Sequence, residues 1–352
     1  MQQAASEFLI RAAQCDAAGQ HDAAINELAR GTAAGDAGCT DQLGIRLLTG
    51  DRSPHLPAEG LRFIADACAQ GHGAGAARAA ALVAMGIAGP PDWRAALDWL
   101  CRSAEAGWNI AQRQLLALCD DRELAQEMAA AAQPSWRGLA AAVQLERWRQ
   151  APAPEVKSQE PRVSTFTGLV RPELCEFFIA LAVGRLEPAR VYDPVARQDI
   201  VAAHRNNTIA NFDLRTVQLA HVLLQARMAA ACGVPEQQME APSVLHYFPG
   251  EQIADHFDFV DPQSTDDYAA EIARNGQRLI TFLIYLNDDY DGGETAFPKL
   301  GFSHRGTLGG GIYFVNALAD LQPDLRMLHA GCPTTRGEKW IITQFVRSRA
   351  MR

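Results

Sequence analysis

Apolar positions in the first third of the chain recur every three to four residues, and the whole arrangement recurs every 36. Gly35, Gly71 and Gly107 stand in AAGDAG, AQGHGA and EAGWNI. Eleven residues before each is a small residue, Ala24, Gly60 and Ala96, followed by Ile25, Leu61 and Leu97 and then by Leu28, Ile64 and Leu100. Downstream, Leu43, Ala79 and Leu115 keep the phase, as do Leu47, Val83 and Cys119. The 25/28 spacing predicts a helix. The glycine suits its C-terminal end and the turn into a second helix. Each unit therefore reads as a helix–turn–helix of 36 residues, and a fixed period of this kind predicts a helical solenoid.

The repeat pattern resembles the Sel-like subfamily of tetratricopeptide repeats, which implies close helix packing and a surface that binds protein or peptide. The bland alternative is three amphipathic hairpins that brace the rest of the chain. Residues 121–150 lose the period, with Val143 where the next glycine would fall and Pro134 dividing the segment. They are expected to cap the repeats. APAPEVKSQEPRVS, residues 151–164, is rich in proline and charge and reads as a linker. The expected organisation is repeats over 1–120, capping helices and linker over 121–164, and a second domain over 165–352.

The second domain has a different grammar. Residues 171–182 and 215–233 still read as helices. From residue 243 on, short aromatic and β-branched runs dominate: SVLHYF, RLITFLIYLN, GGGIYFVN and KWIITQFV. Glycine and proline separate them. This predicts a small barrel or jelly roll with a helical flank, so the fold class is multidomain, an α-helical repeat solenoid followed by a β jelly roll.

Composition narrows the function classes. At 352 residues, 48% hydrophobic and 21% charged, the chain can bury real cores. A net charge of −9 argues against a nucleic-acid or anionic-membrane partner, which needs a basic footprint. No secretion signal or membrane-spanning run is evident. The eight scattered cysteines contain no CxxC pair and read as reduced thiols, so a cytoplasmic location is expected.

The run LHYFPGEQIADHFD places His256 and Asp258 two residues apart, on one face of an extended segment. His329, in RMLHAGCP, could join them. Two histidines and one carboxylate can hold Fe(II) and leave coordination positions open. With nine histidines in the chain the three alone are a weak signal, and structural histidines at a barrel rim are the competing reading.

The surroundings carry more. LHYFPGEQIADHFD, RLITFLIYLN, GGETAFP and HAGCPTTRGEKW, in that order over roughly residues 165–348, resemble the prolyl 4-hydroxylase family of iron(II)/2-oxoglutarate dioxygenases. The resemblance implies that His256, Asp258 and His329 are the iron ligands and that a double-stranded β-helix carries them. It implies that Lys339 pairs with the distal carboxylate of 2-oxoglutarate. Tyr247 and Thr295 match hydroxyl donors to the co-substrate, and Tyr285 and Thr343 are further candidates, with strand packing as the alternative. Arg278 matches a substrate position, although on an unbroken strand it is out of phase with Thr281 and Tyr285 and needs a bulge or rim position to face inward. Arg205 sits where relatives often carry a substrate-proximal arginine. Ile253 and Phe345 depart from the family's usual residues. The remaining histidines (21, 55, 72, 204, 221, 246 and 304) and Cys332 read as structural.

The resemblance implies Fe(II), 2-oxoglutarate and O2, with ascorbate (vitamin C) as candidate reductant. The expected activity is hydroxylation of a prolyl residue in a protein or peptide docked with help of the repeats. Residues 261–277 are polar enough to cover the substrate. Hydroxylation of a free amino acid or small molecule is the alternative enzyme, and a repeat scaffold with a sensing or inactive oxygenase domain is the alternative of another class.

Overall fold

The computed structural model describes residues 6–351 except 88, 194–197, 201–204, 262, 264 and 265. His204, read as structural, lies outside them. Contacts divide the chain into two compact units: residues 1–145 with 214–222, and residues 146–213 with 223–352.

The first unit contains the repeats. His21–Ala33 and Ala37–Thr49, Pro57–Ala69 and Gly73–Ala84, and Trp93–Glu105 and Asn109–Leu118 are three successive helix pairs. An additional helix, Glu7–Ala17, precedes them and packs through Ala12 with Ala24, Leu28 and Leu43. Gly35, Gly71 and Gly107 end the first helix of each pair at φ near +81°, a conformation that costs an L side chain about 1–2 kcal/mol. The residue after each closes the turn: the amides of Asp36, His72 and Trp108 donate to the carbonyls of Gly31, Ala67 and Ser103.

The small residue at the head of each unit permits close packing. A Cβ on Gly60 would sit 2.6 Å from both the Gly44 carbonyl oxygen and the Leu48 amide nitrogen, which are backbone atoms that cannot swing away. Gly60→Ala is therefore expected to destabilise this unit by about 1–3 kcal/mol in urea unfolding. Unchanged stability would show that the two helices are not held at this distance. A buried ion pair, Arg78 on Asp41, adds a polar link. Residues 214–222 belong to this unit through Arg215, which pairs with Asp51 at 3.0 Å, and Gln114, whose Oε1 accepts from the Ala220 amide at 2.6 Å.

The second unit is built on two antiparallel sheets. The larger has eight strands in the order Glu155–Ser158, Val163–Phe166, Gly311–Val315, Arg278–Tyr285, Lys339–Arg347, Ser243–Tyr247, Thr208–Asn211 and Glu187–Pro188. The smaller has four: Phe302–His304, Thr295–Phe297, His329–Gly331 and Ile253–His256. Their facing sides share one core, in which Leu245, Leu283, Ile312, Phe314 and Ile341 of the large sheet meet Ile253 and Phe297 of the small one. This is the expected jelly roll, flanked by the expected helices, Pro172–Ala182 and Leu219–Cys232.

The linker expectation needs correction. Glu155–Ser158 and Val163–Phe166 are the outer strands of the large sheet, and Val163, Ser164 and Thr165 are buried. Each strand has only four residues, with proline and charge close by, so the alternation that marks a strand is too short to stand out.

Candidate active site

The sheet register brings the candidate residues together. On the central strand Lys339–Arg347, the residues Lys339, Ile341, Thr343 and Phe345 alternate toward the interior, and all four line one cavity. Tyr247 is paired with Lys339, and Tyr285 with Ile341. Between Val346 and Arg347 the register slips by one residue at Leu279, a β-bulge that returns Arg278 to the phase of Thr281. From the small sheet, His329 is paired with His256 across the ladder. Tyr247, Arg278, His256 and His329 line the same cavity, which has a volume of about 720 Å³.

His256, Asp258 and His329 each direct one donor atom to a common point, with the three donors within 4.8 Å of one another. His256 is the last residue of its strand, and Asp258 lies in the loop just after it. His256 Nε2 stands 3.5 Å from Asp258 Oδ1, and His329 Nε2 stands 3.2 Å from Oδ2. Both Nδ1 atoms are committed to backbone: His256 to the Ala254 carbonyl at 2.9 Å and His329 to the Met327 carbonyl at 3.0 Å. A neutral imidazole that donates from Nδ1 presents a lone pair at Nε2, which is the form a metal needs. In the metal-free site burial alone would push the Asp258 carboxyl up, but charge and hydrogen bonding from His329 and His256 outweigh it and hold the group well below the usual carboxylate range; a bound metal would take the place of those donors. The His329 ring packs edge-on against Phe314 and stacks with Phe297, which keeps water from that side. Two nitrogens and an ionised oxygen in this arrangement fit a divalent transition metal.

Lys339 lines the same cavity and is 1% exposed. Its ammonium donates to the Gly293 carbonyl at 2.6 Å and faces the Tyr247 and Tyr285 rings at 5.0 and 5.9 Å. No carboxylate is within ion-pair distance of it among the described residues, and burial pushes it down to about 8, with Cys332 and Glu294 opposing at longer range. A buried cation without a counter-ion is costly unless an anion joins it. Around it are hydroxyls. Tyr285 and Thr295 share a hydrogen bond of 2.9 Å, and burial pushes both the Tyr247 and Tyr285 phenols up, so they stay protonated. Gly306 leaves the space the Tyr285 ring fills, since a Cβ there would lie 1.9 Å from ring carbon. Thr343 lines the same cavity.

The two arginines differ. Arg278 is gripped by Glu240 through two hydrogen bonds of 2.8 and 3.0 Å, and its guanidinium lies 3.8 Å over the Phe345 ring. Glu240 is shared with Arg347, which also holds Glu271. Arg205 is bridged to Ile253, and among the described residues its side chain donates to Asn207 Oδ1 at 3.4 Å. Both line the cavity, as do Ile253, Tyr268 and Glu271. Segment 261–277 holds the helix Asp266–Asn275, and its ends are joined because the Gln277 amide both accepts from and donates to the Val260 backbone. Cys332 stays a thiol, pushed up by burial, and is not among the three donors.

Sequence reading missed Glu240, Arg347 and Asn316, and assigned Thr281 no role. Thr281 had a usable signal, since it shares the Tyr285 face by period two. Glu240 lies outside any periodic run.

The family model of the 2OG-Fe(II) oxygenase superfamily matches residues 242–347. Prolyl 4-hydroxylase 1 of Arabidopsis thaliana is 32% identical over 213 residues, covering 56% of this chain and 72% of the relative. Probable prolyl 4-hydroxylase 7 of the same plant is 29% identical, over 54% of this chain and 63% of its own length. Among solved structures, the viral collagen prolyl hydroxylase of Paramecium Bursaria Chlorella virus-1 is 22% identical with a TM-score of 0.41, over 53% of this chain and 96% of that one. A Sel1 repeat protein from Oxalobacter formigenes is 26% identical with a TM-score of 0.28, over 35% of this chain and 92% of that one. No helix among the described residues is long and apolar enough to cross a membrane. The match to the oxygenase model covers His256, Asp258, His329 and Lys339, and the chain belongs to the prolyl 4-hydroxylase family of iron(II)- and 2-oxoglutarate-dependent dioxygenases.

Proposed function

We propose that the chain hydroxylates a prolyl residue in a protein or peptide, with catalysis in residues 165–352 and substrate docking assisted by the repeats of residues 1–120. The observation that carries this reading is the buried Lys339 ammonium, without a counter-ion among the described residues, in one cavity with three convergent metal-type donors. Bound iron(II) with 2-oxoglutarate and O2 supplies the power to insert one oxygen atom into an unactivated C–H bond, leaving succinate and CO2. In this reading His256, Asp258 and His329 hold the metal. Lys339 holds the distal carboxylate of 2-oxoglutarate; Tyr247, Thr295 and Thr343 line that pocket, and Tyr285 supports it from behind through its hydrogen bond to Thr295. Phe297 and Phe314 keep water from the His329 side of the centre. Arg278 and Arg205 are assigned to the substrate side, Arg278 with its fork fixed by Glu240 and Arg205 with no carboxylate partner among the described residues.

The test is an assay of the full chain with proline-containing peptides, a protein that carries the same sequence, and free proline. Succinate and the gain of one oxygen are followed. Peptide and protein should both be hydroxylated, with a lower KM for the protein at similar kcat. Equal KM for peptide and protein contradicts docking on the repeats. Turnover of free proline alone would replace the peptide substrate with a small molecule.

A further inference from the structure

Asp258 has both carboxylate oxygens turned toward the imidazoles, Oδ1 to His256 and Oδ2 to His329. Nothing in that pair of distances decides which oxygen a metal takes, or whether it takes both. A second pair of residues decides it. The Thr281 hydroxyl lies 2.7 Å from Asp258 Oδ2, and the Asn316 side-chain nitrogen lies 2.8 Å from the same hydroxyl oxygen. Thr281 is 1% exposed and Asn316 is fully buried, so water does not compete for either.

The direction of these bonds follows from chemistry. An ionised carboxylate only accepts, so the single Thr281 proton points to Asp258. The hydroxyl must then accept from its other neighbour, which has to be the amide N–H of Asn316. The Asn316 side-chain oxygen is then a buried polar atom without a hydrogen-bond partner among the described residues. The Asn316 backbone is anchored on both sides: its amide donates to Leu279 at 2.7 Å and its carbonyl accepts from Asp324 at 3.0 Å.

We propose that Asn316 and Thr281 are positioning residues that commit Asp258 Oδ2 to a protein hydrogen bond and leave Oδ1 as its single metal-binding oxygen. The consequence concerns coordination number. Three protein donors leave three of six positions open, enough for a chelating 2-oxoacid and one further molecule. A carboxylate that bound through both oxygens would occupy one of these. The Asn316–Thr281 pair thus keeps the co-substrate position open. This inference rests on the metal reading of His256, Asp258 and His329.

The experiment measures Mn(II) affinity of the full chain by the electron paramagnetic resonance signal of free ion, and the absorption spectrum of bound Co(II), without turnover. Thr281→Val should weaken Mn(II) binding roughly 10- to 100-fold and change the Co(II) spectrum, whereas Thr281→Ser should behave as wild type. Asn316→Leu should weaken binding in the wild-type background and add nothing to Thr281→Val, because it acts through that hydroxyl. Thr281→Val with wild-type affinity and spectrum would overturn the proposal, as would a full additional loss from Asn316→Leu on top of Thr281→Val. Should Thr281→Val fail to fold by circular dichroism, the single variants Asn316→Leu and Thr281→Ser carry the test, and wild-type affinity in Asn316→Leu overturns it. A wild-type chain that binds neither ion refutes the metal reading itself, a result distinct from a bound metal that ignores Thr281.

Discussion

Asp258→Ala is expected to lose turnover to background and to lose specific Mn(II) binding. The reason is local charge balance. Asp258 is the only anion among the three donors, and it stands 3.2 and 3.5 Å from the two Nε2 atoms. Without it two neutral imidazoles remain, and a divalent ion loses both a ligand and its one protein counter-charge. His256→Ala and His329→Ala should behave alike. Succinate formation and Mn(II) binding read the outcome together, and 2-oxoglutarate turnover at wild-type rate in Asp258→Ala would refute the assigned centre. The fold should survive, because the core that joins the sheets is built from other residues, such as Leu283, Ile312 and Phe297.

Removing the Lys339 charge should have two effects of opposite sign. Lys339→Met keeps most of the volume and deletes the ammonium. The 2-oxoglutarate carboxylate would then be buried without a partner, a loss of about 3–5 kcal/mol for a broken buried pair, or on the order of 10²–10⁴-fold in affinity. The ligand-free protein should become more stable. Burial lowers this group from 10.5 to about 8, which corresponds to a destabilisation of roughly 3 kcal/mol by the charged form. The folded value lies below the unfolded one, so the unfolded chain holds the extra proton between them. The penalty is therefore complete below about pH 8 and is relieved as pH rises toward 10.5. The gain in melting temperature of Lys339→Met should be largest near neutrality and shrink at high pH. In the wild type, 2-oxoglutarate affinity should fall as pH rises beyond about 8, where the ammonium loses its proton. A Lys339→Met protein that binds 2-oxoglutarate as wild type, or that is less stable at pH 7 without it, contradicts this account.

Much of this was legible in the residues because the signals were periodic or covalently local. The 36-residue glycine spacing gave the helix pairs, since a left-handed turn residue must recur wherever the turn recurs. The runs around Leu245, Leu283, Ile312 and Ile341 announced the large sheet as short, near-continuous stretches of β-branched and aromatic residues bounded by glycine and proline. His256 and Asp258 were visible as a pair two positions apart. What stayed hidden depends on register and distance along the chain. Arg278 reaches the cavity only because of a bulge at Leu279, and a single inserted residue has no sequence marker. Glu240 holds Arg278 and Arg347 from 38 and 107 positions away. Asn316 reaches Thr281 across 35 residues. Residues 214–222 join the repeat unit although they follow the first strands of the other one. Such partners are set by the folded chain, and neither alternation nor composition carries them.

The most direct test of the central claim is calorimetry of 2-oxoglutarate binding to the full chain, under anaerobic conditions, with and without Mn(II) as a redox-silent substitute for iron. It needs no knowledge of the substrate, because it reads the metal-type donors and Lys339 of one cavity at once. The account predicts saturable binding that requires the metal and disappears in Lys339→Met. Binding of equal strength without metal, or none with it, would contradict a shared metal and co-substrate site.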